Sequence, residues 1–371
     1  MIRHQNTQDL SELLTQISAV IASHHDVFAR SFGESLTKSR VELDWARIID
    51  LNSRLNTFFP GDIDATPQGI EGVKLRKSQQ IMAFKRYITT NNSQHIHDWC
   101  CGKGHLGRHI THNLSALRTG YEINPVLLQE AARLDQLRDQ RAIYQQADAL
   151  TLPVTLEAND HFVALHACGG LHRALIDQFL AQKTGSLSLS PCCYHKLLDK
   201  PYRAFSSIGK SAPFDLSDDL LKFATRQRVT GSSTEEHHRE VIRAYRLGFD
   251  SWVRDSLGRT HYTAVPSTPY STANASFSAF CKWAANQRVP ELKEIDVPEK
   301  YLNIGIERLQ QEVEFERKIA PMRSLVEAWL VLDMAVALVE HEFQVSVIKF
   351  CQPNVSPRNF LIQATSRPSI H

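Results

Sequence analysis

HIHDWCCGKGHLG, residues 95–107, has the order of a short β-strand, a glycine-bearing turn and the first turn of a helix. The strand ends at Asp98, and apolar spacing typical of a helix begins just after the glycines. At such a junction the backbone N–H groups of the helix N-terminus are free to face a polar ligand. Gly102 and Gly104 let the backbone approach that ligand without an intervening Cβ. The stretch therefore predicts a ligand site at the carboxyl end of a strand.

The composition of this turn bears on the choice between two adenosine-containing ligands, dinucleotides and S-adenosylmethionine. A dinucleotide turn follows the pattern G-x-G-x-x-G, and the run from Cys100 to Gly107 does not match it cleanly. Asp98 at the strand end suits a ligand with an ammonium group better than one with a pyrophosphate. The turn therefore favours S-adenosylmethionine.

Strand and helix patterns alternate from residue 95 to residue 195, which is typical of a parallel sheet with helices on both faces. Polar residues cluster where the predicted strands end, and ligands of open α/β sheets bind at that edge. Glu122 follows Asp98 by 24 positions, close to the offset at which an acidic residue holds ribose hydroxyls. Asp148 follows the next predicted strand. Glu122 alone is equally typical of a solvated side chain, but Asp98, Glu122 and Asp148 together predict contacts with the ammonium, ribose and adenine of the ligand.

The remaining sequence predicts mostly helical regions around this core. We divide the chain into four parts. They are a helical N-terminal extension (1–73), a cofactor-binding half-domain (74–195), an insertion that shapes the site of the second substrate, the acceptor (196–300), and C-terminal helices and strands that complete the sheet (301–371). Pro321 is predicted to begin the last helix, because proline is tolerated in the first turn and disrupts a helix interior. Two strands near the C-terminus predict an antiparallel hairpin at the sheet edge. The predicted fold class is α/β.

A predicted helix from Glu235 to Leu257 carries Arg239, Arg243 and Arg246 on one face and an aromatic stripe on another. One interpretation is a solvated basic face over a packed core. The other is a helix that follows the phosphates of a nucleic acid. On the second interpretation these three arginines bind the substrate.

Composition and cysteine content set wider limits. The net charge of +2 gives no global case for nucleic-acid binding, so any basic surface must be local. The seven cysteines include two adjacent pairs, whose geometry is poor for disulfides, so we expect free thiols in a reducing compartment. There is no signal-peptide pattern, and the most apolar stretch, from Ala328 to Val339, is interrupted by Asp333 and is too short to span a bilayer. We expect a soluble, cytoplasmic protein.

Four short motifs follow the glycine turn in a fixed order: H-A-C-G at 166–169, P-C-C-Y at 191–194, L-V-L-D at 330–333 and S-P-R-N at 356–359. Together with D-x-C-C-G-K-G-H-L-G, this order resembles class I S-adenosylmethionine-dependent methyltransferases. More narrowly, it is similar to the methyltransferase domain of methyltransferase-like proteins, including the ribosomal-RNA-adenine-dimethylase-domain-containing protein. Eukaryotic tRNA ribose methyltransferases are a looser match. The resemblance covers roughly residues 74–364 and implies a Rossmann-like sheet.

The resemblance implies S-adenosylmethionine as the cofactor and gives roles to residues at the strand ends. Glu122 would hold the ribose, Asp148 the adenine, and His166 would border the methyl-transfer centre. The residues implied to contact the cofactor are Asp98, Cys100, Gly102, Gly104, Glu122, Asp148 and His166. Positioning supplies much of the catalysis in an in-line methyl transfer. An acceptor oxygen or a protonated nitrogen would also need a base, for which His166 and His195 are candidates.

The sequence departs from the family pattern at two positions. Cys100 stands where the family has its first glycine, which implies a somewhat different turn or a displaced ligand. Met334 replaces the arginine that follows Asp333 in the family pattern. Any role of that arginine is therefore open in this chain.

The cysteines and histidines at the ends of the fourth and fifth strands allow a second interpretation. His166, Cys168, Cys192, Cys193 and His195 are all residue types that bind zinc. C-C-x-H lacks the usual C-x₂-C spacing, however, and buried cysteines are common as small apolar side chains. A cysteine nucleophile would need a positioned base and a lowered pKa. We therefore expect no stable metal, and we predict that the acceptor pocket is lined by Cys192, Cys193 and Tyr194.

The expected activity is methyl transfer to RNA, favoured by the family resemblance and by the arginines at positions 239, 243 and 246. A protein or a small molecule is the alternative acceptor. A third possibility, from another functional class, is a protein that binds S-adenosylmethionine without turnover and acts as a partner. The unusual Cys100 and the lack of an obvious base leave that possibility open.

Overall fold

The computed structural model describes residues 7–24, 43–59, 69–88, 95–138 apart from 113, 140, 142–198, 201–225, 233–269, 272 and 275–367. Among these residues the chain forms two compact units. The first comprises the described parts of 7–24, 44–225 and 322–367, and the second comprises Leu43 and the described parts of 233–321.

The first unit is built on one seven-stranded sheet. Its strands are β1 (His95–Trp99), β2 (Leu117–Glu122), β3 (Ile143–Gln146), β4 (Asp160–Cys168), β5 (Ser186–Cys192), β6 (Phe343–Lys349) and β7 (Phe360–Ser366). Its helices are α1 (Thr7–Ser23), α2 (Trp45–Phe58), α3 (Leu75–Arg86), α4 (His105–Thr111), α5 (Pro125–Gln136), α6 (Gly170–Gln182), α7 (Ser207–Lys210) and α8 (Asp218–Thr225).

The strands follow the order β3-β2-β1-β4-β5-β7-β6. The pairs among β1 to β5 are parallel, whereas β7 is antiparallel to both β5 and β6. The carboxyl ends of β1 to β5 consequently share one edge of the sheet. The order reverses direction between β1 and β4, and such a reversal is where open α/β sheets bind ligands. The predicted α/β, Rossmann-like sheet with its C-terminal antiparallel hairpin is confirmed, with β7 inside the sheet and β6 at its edge.

Buried apolar residues explain why these segments form a layered unit. One cluster joins the sheet to α3 and α4 and includes Phe84, Ile96, Leu106, Val163 and Leu361. Phe84 and Phe350 meet edge to face, with ring centroids 5.7 Å apart. This packing fixes α4, the helix that follows the glycine turn, against β1.

The last helix corrects one prediction. Residues 301–318 and the segment beginning at Pro321 form one continuous helix, α11 (Lys300–Glu340), with Pro321 inside it. The predicted helix break at Pro321 is therefore wrong. Proline removes one backbone hydrogen bond at a cost of about 3 kcal/mol, but the residues after it are almost all buried, from Met322 to Leu338. None of the described helices is long and apolar enough to cross a membrane.

The second unit contains α9 (Ser233–Leu257), α10 (Phe277–Arg288), a short 3₁₀ helix (Pro290–Leu292) and the first half of α11. Aromatic residues of α9 and α10 form its core, among them Phe249, Trp252 and Phe280. The aromatic stripe predicted on α9 is thus a packed face.

Candidate functional site

The glycine turn between β1 and α4 has a left-handed backbone at three positions. The φ angles of Cys100, Gly102 and Gly104 are 56°, 55° and 67°. This conformation costs a residue with a Cβ about 1–2 kcal/mol, so Cys100 adopts with strain the form that glycine adopts freely. A Cβ added to Gly102 would meet nothing within 4 Å. The space beside the turn is therefore open to a ligand that approaches the backbone.

Asp98 is the buried anchor beneath this turn. Only 2% of the residue is exposed, and its Oδ2 accepts a hydrogen bond from the Gly107 N–H at 2.9 Å. Burial raises the pKa of Asp98 to about 6, although the Gly107 bond and the charge of Arg118 oppose this rise. The carboxyl group thus fixes the first turn of α4. Its predicted contact with the ligand's ammonium group stays a prediction.

The raised pKa of Asp98 makes stability depend on pH in a defined direction. The folded state favours the neutral carboxyl of Asp98, whose pKa is near 4 in the unfolded chain and about 6 in the folded protein. The stabilisation that this group contributes is therefore complete below about pH 4 and is lost as the pH rises through about 6. Between about pH 4 and pH 7 the wild type should lose about 3 kcal/mol of unfolding free energy relative to Asp98→Asn. Urea unfolding of both proteins across this range measures the difference. Parallel pH profiles would contradict the prediction.

Glu122, at the end of β2, is oriented by two backbone groups. The Gly102 N–H donates to its Oε2 and the Asn124 N–H donates to its Oε1, each at 3.0 Å. A carboxylate offers about four lone-pair positions, so both oxygens can still accept ribose hydroxyls. The side chain lies beside the open space over Gly102, where the sequence predicts ribose.

Asp148 follows β3 at the same edge and is exposed. Its Oδ1 accepts a hydrogen bond from the Leu150 N–H at 3.0 Å, which holds the turn after the strand. Burial first, and then the charges of Glu122, Asp98, Cys168 and Asp148, raise the pKa of Cys100 to about 12. The neutral Cys100 thiol therefore sits within electrostatic reach of all three predicted acids, which the fold brings to one place.

A buried ionic network behind the turn was not predicted from the sequence. Asp135 of α5 is 3% exposed. Its Oδ1 accepts from Arg108 Nε at 2.5 Å, and its Oδ2 accepts from Arg118 Nη2 at 2.6 Å and from the Tyr144 hydroxyl at 2.8 Å. Arg108 also donates to the carbonyl of Lys103 within the turn, at 3.1 Å. The network ties α4, β2, β3 and α5 to the backbone of the glycine turn.

His166 occupies a β-bulge near the end of β4. The pairing of β4 with β5 shifts between Leu165 and Ala167, and His166 has a φ of 64°. Bulges re-aim a side chain at a sheet rim and are common beside active sites. The sequence motif identifies His166 but does not predict this conformation.

Gln80 of α3 determines which nitrogen of His166 carries the proton. The Gln80 amide nitrogen donates to the Val355 carbonyl at 3.0 Å, so its oxygen is the atom 3.3 Å from His166 Nε2. Since that oxygen only accepts, Nε2 carries the proton and Nδ1 is the unprotonated acceptor. Burial, followed by the charges of Arg358 and Lys77, lowers the pKa of His166 to about 4. The imidazole is neutral near pH 7.

The predicted acceptor-pocket residues follow at the end of β5. Cys192 is buried and Cys193 is half-buried with a φ of 44°. The hydrogen bond from Cys192 lowers the pKa of Cys193 to about 5. Tyr194 is fully buried, and its hydroxyl has no hydrogen-bond partner among the described residues. Its ring meets His172 edge to face, with centroids 5.5 Å apart.

His195, the other candidate base, is half-buried. Burial lowers its pKa, while the neighbouring Cys193 and Asp218 oppose that shift. Its Nδ1 has no hydrogen-bond partner in the described part of the chain. His195 therefore keeps a nitrogen that can accept a proton, as His166 does.

The three predicted arginines lie on α9, in the second unit. Arg243 forms ion pairs with Glu312 at 3.4 Å and Glu316 at 3.2 Å. Arg246 donates to the Pro266 carbonyl at 2.7 Å. Arg239 is exposed. Two of the three guanidinium groups are thus engaged within their own unit, and the predicted contacts with substrate stay a prediction.

Cations that the sequence analysis did not select lie at the carboxyl edge of the sheet. Lys77 of α3 and Lys196 in the loop after β5 are exposed. The charges of Lys77 and Arg358 act on His166, and those of Lys196 and Arg358 act on Cys193. Arg358 belongs to the S-P-R-N motif, which the sequence analysis quoted without a role. Lys77 belongs to a run of basic residues, Lys74, Arg76 and Lys77, at the start of α3.

Residues 76–200 match a family described as "Methyltransferase domain". This stretch runs from α3 to the loop after β5 and contains every residue predicted to hold the cofactor.

Solved structures with a similar chain path include three methyltransferases. The tRNA (uracil-54, C5)-methyltransferase of Pyrococcus abyssi, in complex with S-adenosyl-L-homocysteine, is 15% identical, with a TM-score of 0.28 over 41% of this chain and 38% of its own. Coclaurine N-methyltransferase is 17% identical, with a TM-score of 0.27 over 50% of this chain and 63% of its own. The 23S rRNA methyltransferase ErmE is 15% identical, with a TM-score of 0.27 over 63% and 98%.

This chain thus spans less than two thirds of the length of the first two of these structures. Similarity at this level carries no argument about the methyl acceptor. The family match, the parallel strands β1 to β5 and the predicted strand-end residues all lie within residues 76–200. Residues 76–200 are therefore similar in sequence to a methyltransferase domain, and they carry the five parallel strands of the Rossmann-like sheet.

Proposed function

We propose that the protein transfers a methyl group from S-adenosylmethionine to RNA, with the acceptor bound at the carboxyl edge of β4 and β5. The observation that carries this proposal is the set of cations around the predicted transfer centre. Lys77, Lys196 and Arg358 come from three separate segments, and their charges act on His166 or Cys193. Exposed lysines beside a reaction centre suit the phosphates of a nucleic acid. The narrower resemblance to rRNA-adenine-dimethylase-domain-containing proteins supports the same acceptor.

The residues of this chain would divide the work of binding between them. Glu122 accepts the ribose hydroxyls, Asp148 accepts from the adenine amine, and the backbone of the Cys100–Gly104 turn faces the methionine portion. Once bound, S-adenosylmethionine supplies a methyl group on a positively charged sulfur, ready for in-line displacement. Holding donor and acceptor in line converts an encounter into an intramolecular reaction, which supplies much of the rate.

His166 would handle the acceptor proton. Its Nδ1 is unprotonated because Gln80 fixes the proton on Nε2. A neutral imidazole at the end of β4 can accept a hydrogen bond from a hydroxyl or an amine of the acceptor and take up its proton as the methyl group is transferred. His195 is the second candidate for this role.

RNA as acceptor is tested with labelled S-adenosylmethionine and total RNA from cells that lack this protein, whose sites are unmethylated. We expect label in RNA, and at least a tenfold loss of that label in the double variant Lys77→Glu, Lys196→Glu. RNA binding by the variant should also depend less on salt, by about 0.7 in log–log slope for each single-strand phosphate that the protein no longer neutralises. Lys318→Glu is the control, because Lys318 pairs with Glu314 in the second unit.

Two outcomes would overturn the RNA assignment. Label in protein or in small molecules of a cell extract, with none in RNA, would assign another acceptor. Binding of S-adenosylmethionine without any labelled product would favour a non-catalytic partner protein.

The predicted basic face of α9 is tested in the same assay with the variant Arg239→Glu, because this arginine is exposed. We also propose a cytoplasmic location, since none of the seven cysteines forms a disulfide.

A further inference from the structure

Three thiols converge at the carboxyl ends of β4 and β5. Cys168 ends β4, Cys192 ends β5 and Cys193 follows directly. Their sulfur atoms all lie within 4.8 Å of one another, and those of Cys168 and Cys192 are 3.3 Å apart. No other described His, Cys, Asp or Glu atom joins this group at the same distance.

The backbone around the thiols holds them in this arrangement. The bulge at His166 shifts the pairing so that Cys168 lies opposite Cys192. The Gly169 N–H donates to the Cys192 carbonyl at 3.0 Å, and the Lys196 N–H donates to the Cys193 carbonyl at 2.9 Å.

Close packing of two backbones adds to this rigidity. The Gly170 N–H donates to the Lys196 carbonyl at 2.9 Å, and a Cβ added to Gly169 would lie 1.9 Å from that carbonyl oxygen. The loop that carries Cys193 is therefore pressed against the N-terminus of α6, and only glycine fits there. Together with left-handed backbone at His166 and Cys193, this packing places three sulfurs together without relying on side-chain freedom.

The spacing of the sulfurs matches a thiolate metal site. Zinc–sulfur bonds of about 2.3 Å in a tetrahedron place sulfur atoms about 3.8 Å apart. The distance between the sulfurs of Cys168 and Cys192, 3.3 Å, is slightly shorter than this value. The upper bound of 4.8 Å on all three sulfur–sulfur distances is longer. We propose that Cys168, Cys192 and Cys193 bind one zinc ion through three thiolates, with the fourth coordination position open to water or substrate. Three protein ligands with an open position are typical of catalytic rather than structural zinc sites.

The sequence-based expectation of no stable metal rested on linear spacing. C-x₂-C pairs bring two sulfurs together within one loop, and this chain lacks such a pair around these residues. Here the convergence comes from neighbouring parallel strands 24 residues apart in sequence, which spacing rules do not detect. The partial exposure of Cys168 and Cys193 leaves a path for the ion.

The site is tested on the full-length protein, purified under reducing conditions and equilibrated with zinc before free metal is removed. Elemental analysis should give about one zinc per chain. Cobalt in place of zinc should give near-ultraviolet thiolate-to-cobalt charge-transfer bands. Cys168→Ser, Cys192→Ser and Cys193→Ser should each weaken zinc binding at least tenfold in a competition with a chromophoric chelator. Cys281→Ser and Cys351→Ser, at buried thiols outside the cluster, should leave zinc binding unchanged.

Two results would overturn this assignment. One is a folded, reduced wild-type protein that holds no zinc. This result would overturn the assignment even if Cys168 and Cys192 formed a disulfide after oxidation. The other is a triple serine variant that keeps the same zinc content. Circular dichroism of every variant separates loss of the ion from loss of the fold. Because metal content is read without methyl transfer, failure here is distinct from failure of the proposed RNA activity.

Discussion

Replacing Asp135 with alanine is expected to lower the free energy of unfolding by about 3–5 kcal/mol, because one partner of a buried charge network is removed. The substitution leaves Arg108 and Arg118, which are 5% and 3% exposed, without their carboxylate. Two nitrogens of Arg118 already have no hydrogen-bond partner among the described residues. The remaining positive charges would be buried without compensation. Urea unfolding measured by circular dichroism gives the change directly.

Asp177→Ala is the matched control for this substitution. Asp177 is an exposed aspartate on α6 that pairs with Arg173 at 3.8 Å, and exposed pairs of this kind contribute about 0–1 kcal/mol. Asp135→Asn, which keeps one acceptor oxygen, should fall between the two. If Asp135→Ala cost no more than Asp177→Ala, the network would not be what holds the turn against the sheet.

Replacing Glu122 with alanine is expected to weaken S-adenosylmethionine binding about 100-fold. Two hydrogen bonds from ribose hydroxyls to a carboxylate contribute about 1.5–3 kcal/mol each, and 1.4 kcal/mol corresponds to a tenfold change in affinity. Some of that energy is recovered by water, so a net loss near 3 kcal/mol is expected. The substitution also removes the acceptor for the Gly102 and Asn124 N–H groups. Calorimetric titration measures the affinity.

Glu122→Gln and Glu157→Ala separate these effects. The glutamine keeps one acceptor oxygen and should retain part of the affinity. Glu157 is exposed in the loop before β4, at the opposite edge of the sheet from the site, so its replacement should leave the affinity unchanged. Equal affinities for wild type and Glu122→Ala would remove Glu122 from the cofactor site.

The sheet, and the convergence of the three predicted acids at one of its edges, could be predicted from sequence because both follow from local patterns. Alternation of strand and helix between residues 95 and 195 predicts a parallel sheet, and polar residues at strand ends predict the ligand edge. The structure brings Asp98, Glu122 and Asp148 to that edge around Cys100. These inferences need only the period of the apolar residues and the direction of the strands.

Features that depend on contacts between distant segments could not be predicted in this way. Nothing in the spacing of Arg108, Arg118 and Asp135 indicates that they share one buried cluster. The tautomer of His166 depends on Gln80 and on a carbonyl of the β6–β7 loop. The helix through Pro321 persists because burial of the residues after it outweighs a local cost. In each case tertiary packing determines the outcome.

The most direct test of the central claim is calorimetric titration of the full-length wild type with S-adenosylmethionine, beside Asp148→Ala. Binding of about one molecule per chain, weakened in the variant, is the predicted result, because Asp148 lies exposed at the end of β3 where adenine is expected. A folded wild type that gives no binding heat at several temperatures would contradict the assignment of the β1–β3 edge as the cofactor site.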